Sequence, residues 1–106
     1  MPKKSLDQLT ESMFYVLMAF CRGPMCGTDA VAFIEHHTGG RIQMGPATLY
    51  TILAKFEESG YIRETAVEGR KRIYEITEKG RGAYRDEVDR LHRCIADAGT
   101  AALLGV

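Results

Sequence analysis

The sequence predicts a mainly α-helical domain that carries one small β-hairpin. Three observations indicate this fold class. Apolar residues recur at helical spacing in four segments, and glycine or proline residues separate these segments. Between residues 61 and 76 the pattern changes to β-branched and aromatic residues around a Glu-Gly pair. A chain of 106 residues fits one domain.

The first two helices are predicted from their apolar faces. A first helix is expected at about residues 8–22, and a Gly-Pro pair at 23–24 ends it. Its core stripe consists of Leu9, Met13, Val16, Leu17 and Phe20. A second helix, capped by Thr28 or Asp29, is expected to run to about His37.

The third helix, at about residues 46–59, is the candidate DNA-recognition helix. Pro46 fits the first helical position, where a missing N–H costs nothing, and Gly60 suits a helix end. The buried stripe is Leu49, Ile52, Leu53 and Phe56. The opposite face, with Ala47 at its start, carries Thr48, Tyr50, Thr51 and Lys55. Hydroxyls and a lysine suit phosphate oxygens and base edges, and Arg41 is a further phosphate candidate.

A hairpin follows this helix and is expected to act as a wing. Residues 61–67 and 70–76 have strand composition, and a Glu-Gly pair separates them. The tip is cationic, with Arg70, Lys71 and Arg72. Cations at a hairpin tip beside a recognition helix suit DNA phosphates. Three helices, a hairpin and a further helix predict a winged helix-turn-helix over residues 1–77, with a C-terminal dimerisation helix after it.

The last helix carries a heptad pattern. Thr77 is a suitable cap, and residues 78–106 are expected to form the dimerisation helix and tail in the same compact unit. Its apolar residues, at alternating spacings of four and three, are Tyr84, Val88, Leu91, Ile95, Ala98 and Ala102. This spacing is typical of an a/d seam, which needs a partner helix, so we expect a homodimer.

Four motifs together resemble a known family. They are Leu9 to Leu17 (LTESMFYVL), Gly39 to Tyr50 (GGRIQMGPATLY), Leu53 to Ile62 (LAKFEESGYI) and Arg72 to Gly80 (RIYEITEKG). In this order and spacing they resemble the PadR family of bacterial winged-helix transcriptional regulators, over roughly residues 6–95. Family members commonly carry Gly-Tyr at the start of the second helix, whereas this chain has Gly27-Thr28.

The resemblance also raises the question of an effector. In some relatives the dimer interface encloses flat aromatic compounds, gripped by a tryptophan of the last helix, and this chain has no tryptophan. A smaller effector pocket could be lined by Phe14, Tyr15, Met18 and Tyr84. The same residues serve equally well as core, so both interpretations stay open.

Two hypotheses for the function remain. The first is a homodimeric regulator, most simply a repressor, that binds double-stranded DNA with the helix at 46–59 in the major groove and the wing on the backbone. The second is a winged-helix module that binds protein instead of DNA, and the net charge of zero is its only support. A cationic surface around Thr48, Lys55 and Arg70 would favour DNA.

Enzyme activity and cofactors are not expected. The sequence has no Gly-rich phosphate loop, nucleophile–base pair or dinucleotide fingerprint. Cys21 and Cys26 match no standard zinc spacing, so no metal is expected, and the three cysteines fit reduced thiols. Cys94 is interpreted as a small buried apolar residue, with redox sensing as the alternative.

The chain is expected to act in the cytoplasm and not in a membrane. No apolar run approaches the ~20 residues that a bilayer requires. The start of the chain is basic but does not continue into an apolar segment, so it is not expected to be a signal peptide. Residues 1–5 are predicted to form a flexible basic arm, and its Lys3 and Lys4 are candidate DNA contacts.

Overall fold

The winged helix fold is confirmed in the computed structural model, which describes residues 8–100. Within that range the chain forms four helices and three strands. In chain order they are α1 (Glu11–Phe20), β1 (Met25–Cys26), α2 (Gly27–His37), α3 (Pro46–Ser59), β2 (Ile62–Glu68), β3 (Lys71–Ile76) and α4 (Glu78–Thr100). Lys3, Lys4 and Ala102 lie outside the described residues.

The core lies between α1, α2, α3 and the sheet. The predicted stripes are confirmed, because all nine of their residues are buried. In α1 these are Leu9, which precedes the helix, and Met13, Val16, Leu17 and Phe20; in α3 they are Leu49, Ile52, Leu53 and Phe56. Since α3 turns this stripe inward, its polar face points to solvent.

Helix α3 has the predicted ends. Pro46 is in the first turn, after Gly45 as N-cap. At the other end Gly60 adopts a left-handed conformation with φ of 77°. The N–H of Gly60 donates to the carbonyl of Glu57 at 3.1 Å, and the N–H of Tyr61 donates to that of Phe56 at 2.8 Å. These two bonds are a Schellman motif, so glycine is needed at this position.

The sheet has a third strand that the sequence did not indicate. Met25 pairs with Tyr74 and Cys26 with Ile73, so the strand order is β1-β3-β2. Because this pairing keeps the chain extended as far as Cys26, α2 begins at Gly27 and Cys26 is its N-cap. The prediction that Thr28 or Asp29 caps α2 is therefore wrong.

Two further boundaries differ from the prediction. Helix α1 begins later than the expected residue 8, because the hydroxyl of Thr10 accepts from the N–H of Met13 at 3.2 Å and caps the helix. It ends at Phe20, before the expected residue 22. In the wing, Gly69 with φ of 64° and Arg70 form the turn, so β3 starts at Lys71. The pairing of β2 with β3 shifts at a bulge between Glu64 and Ala66.

Candidate nucleic-acid interface

The outer face of α3 is exposed as predicted. The predicted contact residues Ala47, Thr48, Tyr50, Thr51 and Lys55 are all exposed, and so are Ala54 and Glu58 of the same helix. The two threonines differ in their hydrogen bonds. The hydroxyl of Thr51 donates to the carbonyl of Ala47 at 2.9 Å. The Thr48 hydroxyl has no hydrogen bond to residues 8–100, so it is the freer donor toward a ligand.

The cations of the wing differ in their ion pairs. Arg72 Nε lies 3.1 Å from Glu64 Oε1, and the Glu64 carboxylate raises the pKa of Arg72 above its ordinary value. No carboxylate oxygen in the described part of the chain lies within 4.0 Å of the charged groups of Arg70 or Lys71. These two cations are therefore available to an external anion.

A small notch brings the wing and α3 together. It has a volume of about 140 Å³ and lies between the wing, α3 and the start of α2. Residues that line it include Tyr50, Thr28, Arg70, Lys71 and Arg72. The side chain of Tyr50 is 63% exposed, so its ring is accessible beside the wing. Residues predicted separately on the helix and on the hairpin thus face one space.

A second groove runs along the other side of α3. It has a volume of about 370 Å³ and lies between α3 and the start of α1. Thr48, Thr51 and Lys55 line it together with Thr10 and Ser12 of α1. Thr10 and Ser12 were not among the predicted site residues, because only the tertiary packing of α1 and α3 places their side chains beside α3.

Arg41 contacts α1. Its Nη2 donates to the hydroxyl of Tyr15 at 2.6 Å, and its guanidinium lies 5.6 Å from the centre of the Tyr15 ring. Its Nη1 lies 3.7 Å from the carboxylate of Glu11. A role in phosphate binding stays a prediction, and it would require Arg41 to exchange these partners for DNA.

The seam of α4 is only partly covered. Tyr84 stacks on Phe14 of α1, with ring centroids 5.2 Å apart and planes at 10°. Val88, Leu91 and Ala98 are half-buried, while Ile95 is 63% exposed. Residues 92–97 are all exposed. The second half of this helix therefore presents an apolar stripe that the described residues cover only in part, with Ile95 the most exposed of its members.

The candidate effector residues form an aromatic cluster. Phe14 contacts Tyr84 face to face and Tyr15 edge to face, with centroids 5.2 and 5.8 Å apart. Met18 is half-buried on the same helix. Burial raises the pKa of the Tyr84 hydroxyl. The stacked rings of Phe14 and Tyr84 thus cover one face of each other. An effector role for these residues stays a prediction.

The remaining predictions concern metal binding, membrane insertion and the cysteines. Within residues 8–100 no group of three or more His, Cys, Asp or Glu residues could hold a metal ion. No helix in that range is both long enough and apolar enough to span a bilayer. Cys94 is exposed, so its interpretation as a buried residue is wrong: it lies on the part of α4 that extends past the core. Cys26 is buried, and burial raises the pKa of the half-buried Cys21.

One buried charge was not anticipated. Glu87 of α4 is buried, and both of its carboxylate oxygens accept from Arg90, at 2.9 and 2.6 Å. These bonds lower the pKa of Glu87. The i, i+3 spacing was the available signal for the pair.

Residues 16–86, about two thirds of the chain, match the Transcriptional regulator PadR-like family. The chain belongs to this family. An uncharacterised 37.1 kDa protein in transposon TN4556 of Streptomyces fradiae is 32% identical over 83 residues. The matched segment is 78% of this chain and 24% of that protein, so the chain spans about a quarter of that relative's length.

Several solved structures have the same fold. A transcriptional regulator from Clostridium thermocellum has a TM-score of 0.74 at 22% identity, over 83% of this chain and 89% of its own. RosR from H. salinarum has a TM-score of 0.67 at 18% identity, over 90% of this chain and 97% of its own. Bacillus subtilis PadR in complex with operator DNA has a TM-score of 0.66 at 19% identity, over 74% of this chain and 47% of its own. At these identities the likeness shows the winged helix fold.

Proposed function

We propose that this PadR-like regulator is a homodimeric repressor that binds operator DNA. In the proposal, α3 enters the major groove and the wing lies on the adjacent backbone. The protein would occupy its operator and so block transcription, without catalysing a reaction. Binding to chromosomal DNA would place it in the cytoplasm.

The observation that carries the proposal is the cationic character of the surface formed by α3 and the wing. Arg70 and Lys71 are exposed cations without ion pairs to residues 8–100, and Lys55 is a further exposed cation on α3. Thr48, on the outer face of α3, supplies a hydroxyl that has no hydrogen bond to residues 8–100. Cations near a helix with free hydroxyls combine phosphate attraction with base-edge donors, which are the two elements of operator recognition.

Local charge also favours DNA over a protein partner. The net charge of zero suggested a module without DNA binding, but the negative charges that balance the total do not neutralise Arg70 and Lys71. The B. subtilis relative of the same fold was solved on operator DNA, which supports the same partner for this chain.

The homodimer rests on the uncovered half of α4. This helix has 23 residues, which corresponds to ~34 Å, and its seam contacts α1 near Tyr84. Pairing with the α4 of a second copy would cover Leu91, Ile95 and Ala98. A two-fold pair would also present two α3 helices to two half-sites and double the cationic footprint.

A titration against the DNA upstream of the protein's own coding sequence tests the proposal. We expect a shifted complex of two subunits per duplex, with at least about a hundredfold preference over a random duplex of equal length at the same salt concentration. Equal affinity for both duplexes would contradict operator recognition. A specific complex with one subunit would contradict only the homodimer.

A further inference from the structure

The end of α3 is hydrogen-bonded to the beginning of α4. The hydroxyl of Thr77, one residue before α4, donates to the carbonyl of Gly60 at 2.6 Å and accepts from the N–H of Gly80 at 3.1 Å. The N–H of Thr77 donates to the carbonyl of Tyr61 at 2.9 Å. We call this group of four residues the α3–α4 joint: Gly60, Tyr61, Thr77 and Gly80.

Gly80 makes the joint tight. A Cβ atom on this residue would lie 2.2 Å from the carbonyl oxygen of Tyr61 and 2.8 Å from a side-chain carbon of Ile76. Gly80 is buried in the first turn of α4. The backbone of α4 therefore approaches the end of α3 more closely than any residue with a side chain would allow.

The joint is connected rigidly to α3 itself. The Schellman motif ties Gly60 and Tyr61 to the last turn of α3 through bonds of 3.1 and 2.8 Å. The Tyr61 ring also packs on the Phe56 ring, with centroids 5.8 Å apart. A change in the direction of α4 at Thr77 is therefore transmitted to the recognition helix.

We propose that the α3–α4 joint sets the angle between the recognition helix and the dimerisation helix, and thereby the half-site spacing that the dimer accepts. Thr77 is the positioning residue. The proposal rests on the proposed homodimer, in which α4 pairs with its copy and the joint connects that pair to each α3. Hydrogen bonds have a narrow range of distance and angle, so they define this orientation more sharply than apolar contact does.

The length of α4 makes the angle important. For a helix of ~34 Å, a rotation of ~5° at the joint displaces the far end by ~3 Å. The rise of one base pair is ~3.4 Å. The Phe14–Tyr84 stack also holds α4, but it is an apolar contact to α1 and has no hydrogen bond to α3. A small loosening at Thr77 would thus change the accepted spacing by about one base pair.

The experiment compares Thr77→Val, which removes the hydroxyl, with Thr77→Ser, which keeps it. The duplex is selected from a random-sequence library with the wild-type chain, and its spacer is then lengthened or shortened by one base pair. We expect the wild type and Thr77→Ser to lose about tenfold in affinity on either change. For Thr77→Val we expect this loss to be at least about threefold smaller, with unchanged affinity for an isolated half-site.

Thr38→Val is the matched control. The hydroxyl of Thr38 donates to the carbonyl of Ile34 at 2.8 Å and accepts from the N–H of Ile42 at 3.1 Å, so this variant loses a comparable hydroxyl bridge elsewhere. We expect a lower melting temperature and the wild-type spacer preference. An equal relaxation in Thr38→Val would make the effect one of stability and overturn the positioning role.

Residual dipolar couplings of the α3 and α4 amides measure the angle without DNA. A changed or broadened angle in Thr77→Val supports the proposal, and an angle identical to the wild type overturns it. A wild type that selects no two-fold sequence, or has no spacer preference, contradicts the proposed dimeric operator binding. In that case the couplings still decide whether the joint orients the two helices.

Discussion

Helices α3 and α4 both carry an apolar stripe, but only the stripe of α3 is covered within the described chain. In α3, Leu49 is 3% exposed and Phe56 is fully buried. In α4, Ile95 is 63% exposed, and residues 92–97 are exposed throughout. Helix α3 lies among α1, α2 and the sheet, whereas α4 continues past the core. Periodicity thus marks the face that needs apolar contact but not the molecule that provides it.

The largest expected effect comes from removing the α4 seam. Replacing Leu91 and Ile95 together with Asp places four carboxylates in the proposed interface of a dimer. We expect monomers in sedimentation and a loss of operator affinity of about 10²–10⁴, because the two half-sites are no longer bound together. His92→Asp with Ala96→Asp adds the same charge to exposed positions of α4 off the seam and should remain dimeric. A wild type that is monomeric at micromolar concentration would contradict the proposal that a second copy covers the α4 seam.

The next effect concerns the wing. Replacing Arg70 and Lys71 with Ala removes four cations per dimer, and the log–log salt slope of DNA binding should fall by up to ~0.9 per lost phosphate contact. The loss should be similar for operator and random duplexes. The control variant Arg85→Ala with Arg93→Ala removes the same charge from exposed positions of α4. It should leave the salt slope unchanged. An unchanged slope in the wing variant would mean that the wing does not touch phosphates.

A smaller effect is expected at the start of α3. Thr48→Ala should reduce the preference for operator over random DNA by about 1–3 kcal/mol if the hydroxyl reads a base. The melting temperature should be nearly unchanged, because the residue is exposed. Thr51→Ala should cost less, since that hydroxyl already donates to Ala47. If the affinities for operator and random DNA both fell and their ratio stayed the same, Thr48 would instead be a phosphate contact.

The smallest effect has the opposite sign. Glu64→Gln removes the carboxylate 3.1 Å from Arg72 and should strengthen DNA binding about two- to threefold, because exposed ion pairs contribute below ~1 kcal/mol. Glu75→Gln is the matched control, since Glu75 pairs with Arg63 on the other face of β3. Equal gains in both variants would show a general charge effect instead of the release of Arg72.

The accuracy of the sequence predictions followed the range of the interactions involved. The bounds of α3 were predicted to the residue, because Pro46 and Gly60 act on their own backbone. The start of α2 was missed, because it depends on pairing of Cys26 with Ile73, far along the chain. The contact of Arg41 with Tyr15 was missed for the same reason, because the two residues are 26 positions apart in the chain.

The sequence by itself determined the helices, the hairpin, the polar face of α3 and the heptad seam, since these follow from side chains a few residues apart. Only the tertiary structure decided that Tyr50 and the wing cations share a notch, that Thr77 joins α3 to α4, and which stripe is left uncovered. These features depend on contacts between distant segments, which form only when the whole domain has packed.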